Sequence, residues 1–183
     1  MGGYRIASLN LYPLQYLPSE RRLRLYTRIE LRIVYTEGLV SAAPKSERQI
    51  AVFGEGVRYM VSNPEDLTRW APPVRTRLSE SKALPPGTYE YVVITPQADT
   101  SLFVPLTSWK TKKGVPARIV TTEYIYSNYG GANNQERIKN FIRDASDTWG
   151  TIWVLVGGDV GWVPYRGCYG YVDASPPEED NDI

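Results

Sequence analysis

Tyr91-Val92-Val93-Ile94-Thr95 is a continuous run of aromatic and β-branched residues, preceded by Glu90 and followed by Pro96. A strand with one face in water alternates apolar and polar side chains. A short run without alternation reads as a strand covered on both faces, the usual state in a parallel sheet. The next segment supports that reading. Thr100 to Lys113 has helical character, with Leu102, Phe103, Leu106 and Trp109 spaced as an apolar stripe. Lys110, Lys112 and Lys113 complement the negative end of the helix dipole, and Gly114 sits where a left-handed C-cap is needed. Pro105 is expected near the first turn, where a missing amide hydrogen costs little.

A second strand is predicted from Ala117 to Thr122, with Glu123-Tyr124-Ile125-Tyr126 leading away from it. After Tyr129-Gly130-Gly131, Asn133 or Asn134 can cap a second helix whose stripe is Ile138, Phe141, Ile142 and Ala145. Gly150 closes that helix, and Thr151-Ile152-Trp153-Val154-Leu155-Val156 reads as a third buried strand. Strand-helix-strand-helix-strand with short turns specifies an α/β fold with a parallel sheet and two right-handed crossovers.

Upstream the character changes. In residues 1–37, Leu23, Leu25, Thr27, Ile29, Leu31, Ile33 and Tyr35 alternate with arginines and a glutamate, the period-two pattern of a long half-buried strand. Ile6 to Leu11 and Tyr12-Pro13-Leu14-Gln15-Tyr16 form its expected partner. Leu17-Pro18-Ser19-Glu20-Arg21 supplies turn chemistry, so an antiparallel hairpin precedes the parallel sheet. Glu20 and Glu30 among the arginines mark a solvated strand face rather than a nucleic-acid surface. Residues 38–88 are punctuated by Ala43-Pro44, Asn63-Pro64, Pro72-Pro73 and Pro85-Pro86-Gly87. They read as a connector with little regular structure, apart from a short strand or helix within Glu47–Val61. Trp70 is an expected anchor of that connector, without chemistry of its own. The α/β part then occupies residues 89–183.

Composition removes several chemistries. The chain has 183 residues, no histidine and one cysteine. A Ser-His-Asp triad, a Cys-His dyad and a histidine-ligated metal are therefore absent from it, as are an internal disulfide and a multi-thiolate zinc site. A net charge of +1 argues against a broad electrostatic nucleic-acid footprint. No apolar run is long enough to span a membrane. Met1-Gly2-Gly3-Tyr4-Arg5 does not read as a secretory signal. Together with the acidic end Pro176-Pro177-Glu178-Glu179-Asp180-Asn181-Asp182-Ile183, it reads as a cut into a longer protein.

Asp159, in Gly157-Gly158-Asp159 after the third strand, is the leading candidate for a functional polar residue, because ligands gather at the carboxyl edge of open parallel sheets. It can orient a backbone loop, bind a cation or contact a substrate; it can equally cap its own turn. No Walker-type phosphate loop is present. Cys168 has Arg166 nearby but no base, so it reads as an ordinary thiol. Glu178, Glu179, Asp180 and Asp182 can offer oxygens to Ca²⁺, but the segment lacks EF-hand spacing and reads as a solvated acidic loop.

One ordered set of motifs goes further. Tyr91-Val92-Val93-Ile94-Thr95-Pro96 begins it, followed by Pro105-Leu106-Thr107-Ser108-Trp109-Lys110-Thr111-Lys112-Lys113-Gly114. Next come Ile119-Val120-Thr121-Thr122-Glu123-Tyr124-Ile125-Tyr126 and Ile138-Lys139-Asn140-Phe141-Ile142-Arg143. Trp153-Val154-Leu155-Val156-Gly157-Gly158-Asp159 and Val163-Pro164 close the set. In this order and spacing it resembles gingipain-type cysteine peptidases, departing from their pattern by an extra glycine before Asp159. The resemblance implies a caspase-like α/β catalytic domain of a secreted or cell-surface endopeptidase that works through a thioester. In that family calcium often supports the complete enzyme. The hairpin segment looks like the end of a β-rich pro-region. The family's dyad histidine and cysteine lie downstream of the matching motifs, so no catalytic residue carries over and Cys168 does not match the nucleophile. The implied partners are the remaining half of the catalytic domain and, for the parent, protein or peptide substrates. Two other readings stand beside it: a non-catalytic protein-binding module built on the same fold, and a small-ligand domain using the sheet edge near Asp159.

Overall fold

The computed structural model describes residues 1–32, 43–76, 81, 83–166, 168–170 and 178–180, the last two groups as paired backbone. β3 (Tyr91–Thr95) is the middle strand of a three-stranded parallel sheet, between β4 (Ala117–Thr121) and β5 (Trp153–Val156). Tyr91 stands opposite both Ala117 and Trp153, which fixes the register. The unalternating run was the right signal, since Val92, Val93 and Ile94 are all fully buried.

The order β4-β3-β5 requires the chain to pass over β3 between its second and third strands. α2 (Thr100–Lys112) makes the first crossover and packs on β3 and β4. α3 (Thr122–Asn128) and α4 (Asn134–Thr148) make the second. Asn133 caps α4, its Oδ1 accepting from Glu136 N at 2.9 Å. Ile138, Phe141, Ala145 and Trp149 pack with Val92, Ile94, Val120 and Ile125 in one core. Phe141 meets Tyr129 and Trp149 edge-on, at centroid distances of 5.6 and 6.3 Å. By strand alternation Val93 faces the opposite layer, the side of α2.

Several expectations need correction. α3 is a third helix where only a departing segment was expected; Thr121 starts it by accepting from Tyr124 N at 3.2 Å. The α2 stripe is rotated: Leu102 is 71% and Trp109 50% exposed, while Phe103 and Leu106 are half-buried and Thr107 is buried. Thr107 tolerates burial because its hydroxyl donates to Phe103 O and Val104 O. Pro105 stands inside the helix, past the first turn, on the exposed side where water can reach the carbonyl it leaves unpaired. Among the described residues β5 pairs with β3 alone and lies at an edge, with Val156 exposed.

The hairpin is present but short. β1 (Leu14–Leu17) pairs with β2 (Arg22–Leu25), Leu14 opposite Leu25. The long half-buried strand is not formed: residues 26–32 are outside any strand, and Leu23 and Leu25 are mostly exposed. Among the described residues these two short strands have no second layer to cover an apolar face. Ile33 and Tyr35 fall outside the described residues. Between the hairpin and the sheet, α1 (Glu47–Arg58) is a regular helix with a Ser46–Gln49 capping box, inside the Glu47–Val61 span where a short strand or helix was expected. Beyond the sheet, Cys168–Gly170 (β6) pairs antiparallel with Glu178–Asp180 (β7), so the acidic stretch is a strand rather than a loop over those three residues.

Candidate functional site at the carboxyl edge of the sheet

The three strands end together, at Thr95-Pro96-Gln97, Thr121-Thr122-Glu123 and Gly157-Gly158-Asp159. β3 and β5 lie side by side while the helices following β3 and preceding β5 belong to different crossovers. That is the kind of position where an open α/β sheet leaves a crevice. Gly157 N donates to Ile94 O at 2.8 Å and keeps the β5 exit against β3. Phe103 fills the space beside Gly157, where a Cβ would lie 2.4 Å from the ring. Gly158 has φ +153 and would bring a Cβ to 3.2 Å from Val163 and 3.4 Å from Pro96. Both glycines therefore let the loop turn sharply and close to its neighbours.

Asp159 is exposed and engaged with its own turn. Its Oδ1 accepts from Val160 N at 2.7 Å, and its carbonyl accepts from Trp162 N and Val163 N, each at 2.9 Å. The turn carries Trp162, 61% exposed, whose carbonyl accepts from Tyr126 Oη at 3.2 Å. Tyr126 has its phenol pKa raised, chiefly by burial and then by the carboxylate of Glu123.

Glu123 is the edge residue that sequence reading passed over. Its Oε2 accepts from Gln97 N at 3.0 Å and from Thr122 Oγ1 at 3.3 Å, so one carboxylate ties the ends of β3 and β4. The available signal was its place directly after a predicted strand. Thr95 Oγ1, also at this edge, is buried without a hydrogen-bond partner among the described residues. The edge thus offers two carboxylates, a buried hydroxyl and exposed aromatic surface. Among the described residues no cluster of three or more histidine, cysteine or acidic side chains is placed to hold a metal.

The other candidates belong to other segments of the chain. Trp70 is 45% exposed, with the Arg69 guanidinium 5.2 Å above its ring. Cys168 pairs through its backbone with Asp180. A groove of about 520 Å³ lies on α1, lined among others by Tyr4, Ile50, Gly54, Arg58 and Tyr59, and shares no residue with the sheet edge.

Comparison with known families gives two matches in tandem. A family described as Propeptide_C25 matches residues 2–66, and one described as Peptidase family C25 matches residues 84–181. No curated protein and no solved structure matches the chain. The boundary between the matches falls in the proline-rich connector. The first match extends beyond the hairpin to take in α1.

Proposed function

This chain belongs to peptidase family C25, the gingipain-type cysteine peptidases, with the family's propeptide ahead of the peptidase segment, and we propose that it supplies the pro-region and the first part of the catalytic sheet of a secreted or cell-surface endopeptidase. The tandem order of the two matches carries this reading. In such an enzyme a cysteine thiolate adds to the peptide carbonyl and the amine leaves with a proton from the dyad histidine. Water then hydrolyses the thioester, with backbone amides holding the oxyanion.

No step of that chemistry is assigned to a residue of this chain, which has no histidine to act as base. Its contribution is structural. The β3–α2 and β4–α3 connections, tied through Glu123, and the Gly157–Val163 turn, braced by Asp159, hold one end of a caspase-like sheet rigid. We assign Asp159 a loop-orienting role on the Val160 amide contact. The reading requires no cofactor from these residues, and its partners are the rest of the catalytic domain and the parent's protein substrates.

A non-catalytic binding module is the second reading, favoured by one observation. Leu14, Leu23 and Leu25 of the hairpin are each more than half exposed, an unusual load of apolar surface for two short strands.

Alkylation of Cys168 separates a structural segment from an active thiol peptidase. The rate with iodoacetamide should rise with pH as for an ordinary thiol, whose pKa is near ~8.5. A fast, pH-independent rate between pH 5 and 7, indicating a preformed thiolate, overturns the reading.

A further inference from the structure

The last turn of α4 has no basic side chain, and it carries Asp147, whose charge opposes the helix dipole. Its cationic partners arrive from the segment before the sheet. Arg75 Nη1 donates to Asp147 O at 2.9 Å and to Ser146 O at 3.5 Å; Nη2 donates to Asp147 Oδ1 at 2.6 Å and to Pro44 O at 2.7 Å. The Arg75 side chain is only 11% exposed. Its backbone is held as well, since Arg75 N donates to Lys45 O at 2.7 Å. Lys45 Nζ lies 3.5 Å from Ser146 Oγ, and Gln49 Nε2 donates to Ser146 O at 3.1 Å and Thr151 O at 3.0 Å.

We propose that the C-terminal end of α4 is a guanidinium-binding recess, filled in cis by Arg75, and that it latches residues 43–76 onto the α/β unit. Two main-chain carbonyls and one carboxylate oxygen converge on a planar fork with fixed donor directions. A guanidinium satisfies such a set and an ammonium does not. The recess holds the helix carbonyls that no residue of α4 caps. An arginine side chain on a partner protein competes for the same place. The proposal is independent of peptide-bond chemistry, because its test reads the attachment of α1 and not hydrolysis.

The experiment is hydrogen–deuterium exchange of the α1 amides in the full chain. Arg75→Ala is expected to speed exchange across α1 by roughly tenfold or more, given the worth of hydrogen bonds to a charged group. Millimolar ethylguanidinium should restore protection, while ethylammonium at the same concentration should not. Arg75→Lys should exchange as fast as Arg75→Ala. Unchanged protection in Arg75→Ala, equal rescue by ethylammonium, or wild-type protection in Arg75→Lys would each overturn the proposal. If Arg75→Ala does not fold, Asp147→Asn decides. It leaves both main-chain acceptors and removes the ion pair, so faster α1 exchange supports the recess and unchanged exchange refutes it.

Discussion

Gln49 Nε2 donates to Thr151 O at 3.0 Å, joining two buried residues 102 positions apart. Gln49 stands in α1, within the span matched by the propeptide family, and Thr151 leads into β5 of the peptidase segment. A fully buried glutamine is tolerated here because both ends of its amide are used: Oε1 accepts from Ser46 N at 3.0 Å.

Gln49→Ala should therefore strip the carbonyls of Ser146 and Thr151 of a shared donor, the Thr151 contact being buried. The expected loss is about 2–3 kcal/mol in urea unfolding. A change within about 0.5 kcal/mol, typical of a surface position, would show that the contact holds nothing together.

The rotated face of α2 and the core under α4 give a paired prediction. Phe141 is fully buried against Tyr129 and Trp149, so Phe141→Ala should cost about 3–5 kcal/mol. Leu102→Ala, at a position 71% exposed, should stay within about 0.5 kcal/mol. Chemical denaturation of both variants checks the contrast.

Gly158→Ala places a side chain at φ +153, beside Val163 and Pro96. A cost of about 1–2 kcal/mol is expected from backbone strain. The intrinsic fluorescence of exposed Trp162 should shift as its turn is displaced. An unaltered spectrum and stability would contradict the packing described for this loop.

Tyr129 predicts the alkaline limb of stability. Its phenol is held protonated, its pKa raised well above the ordinary ~10 by burial and then by donation to Asp144 Oδ2 at 2.8 Å. Below about pH 10 both folded and unfolded chains keep the proton, and the stabilisation is fully present. Above it the unfolded chain releases the proton while the folded chain retains it, so stability falls as pH rises. Tyr129→Phe should lessen that fall, seen in thermal unfolding between pH 9 and 11. An unchanged slope would contradict the hydrogen bond to Asp144.

The α/β core was legible in the sequence because its signals are local and redundant. The Tyr91–Thr95 run, the Asn133 cap, the Ile138–Ala145 stripe and Gly150 each mark an element without help from the others. What failed depended on neighbours. Trp153–Val156 reads as buried from composition, yet only pairing decides which strand lies at an edge. Leu102 and Trp109 fit a helical stripe, but Thr107 replaces them at the sheet because its hydroxyl is satisfied within the helix. The arginine-alternating segment promised a long strand, and the short partner Leu14–Leu17 pairs with only four of its residues. At the sheet edge Asp159 was visible through its glycines. Glu123 was not, since its value comes from reaching the Gln97 amide across two strand ends. The long-range fastening by Gln49 and Arg75 leaves no sequence signature at all.

A gingipain-type peptidase chain that has no histidine should show no turnover of its own. The purified full chain is incubated with fluorogenic peptide amides carrying arginine, lysine or neutral residues before the scissile bond. No release above buffer is expected for the unaltered chain or for Cys168→Ser. Turnover by the unaltered chain that disappears in Cys168→Ser would contradict the account, because it would place a working nucleophile in a chain that has no histidine to serve it.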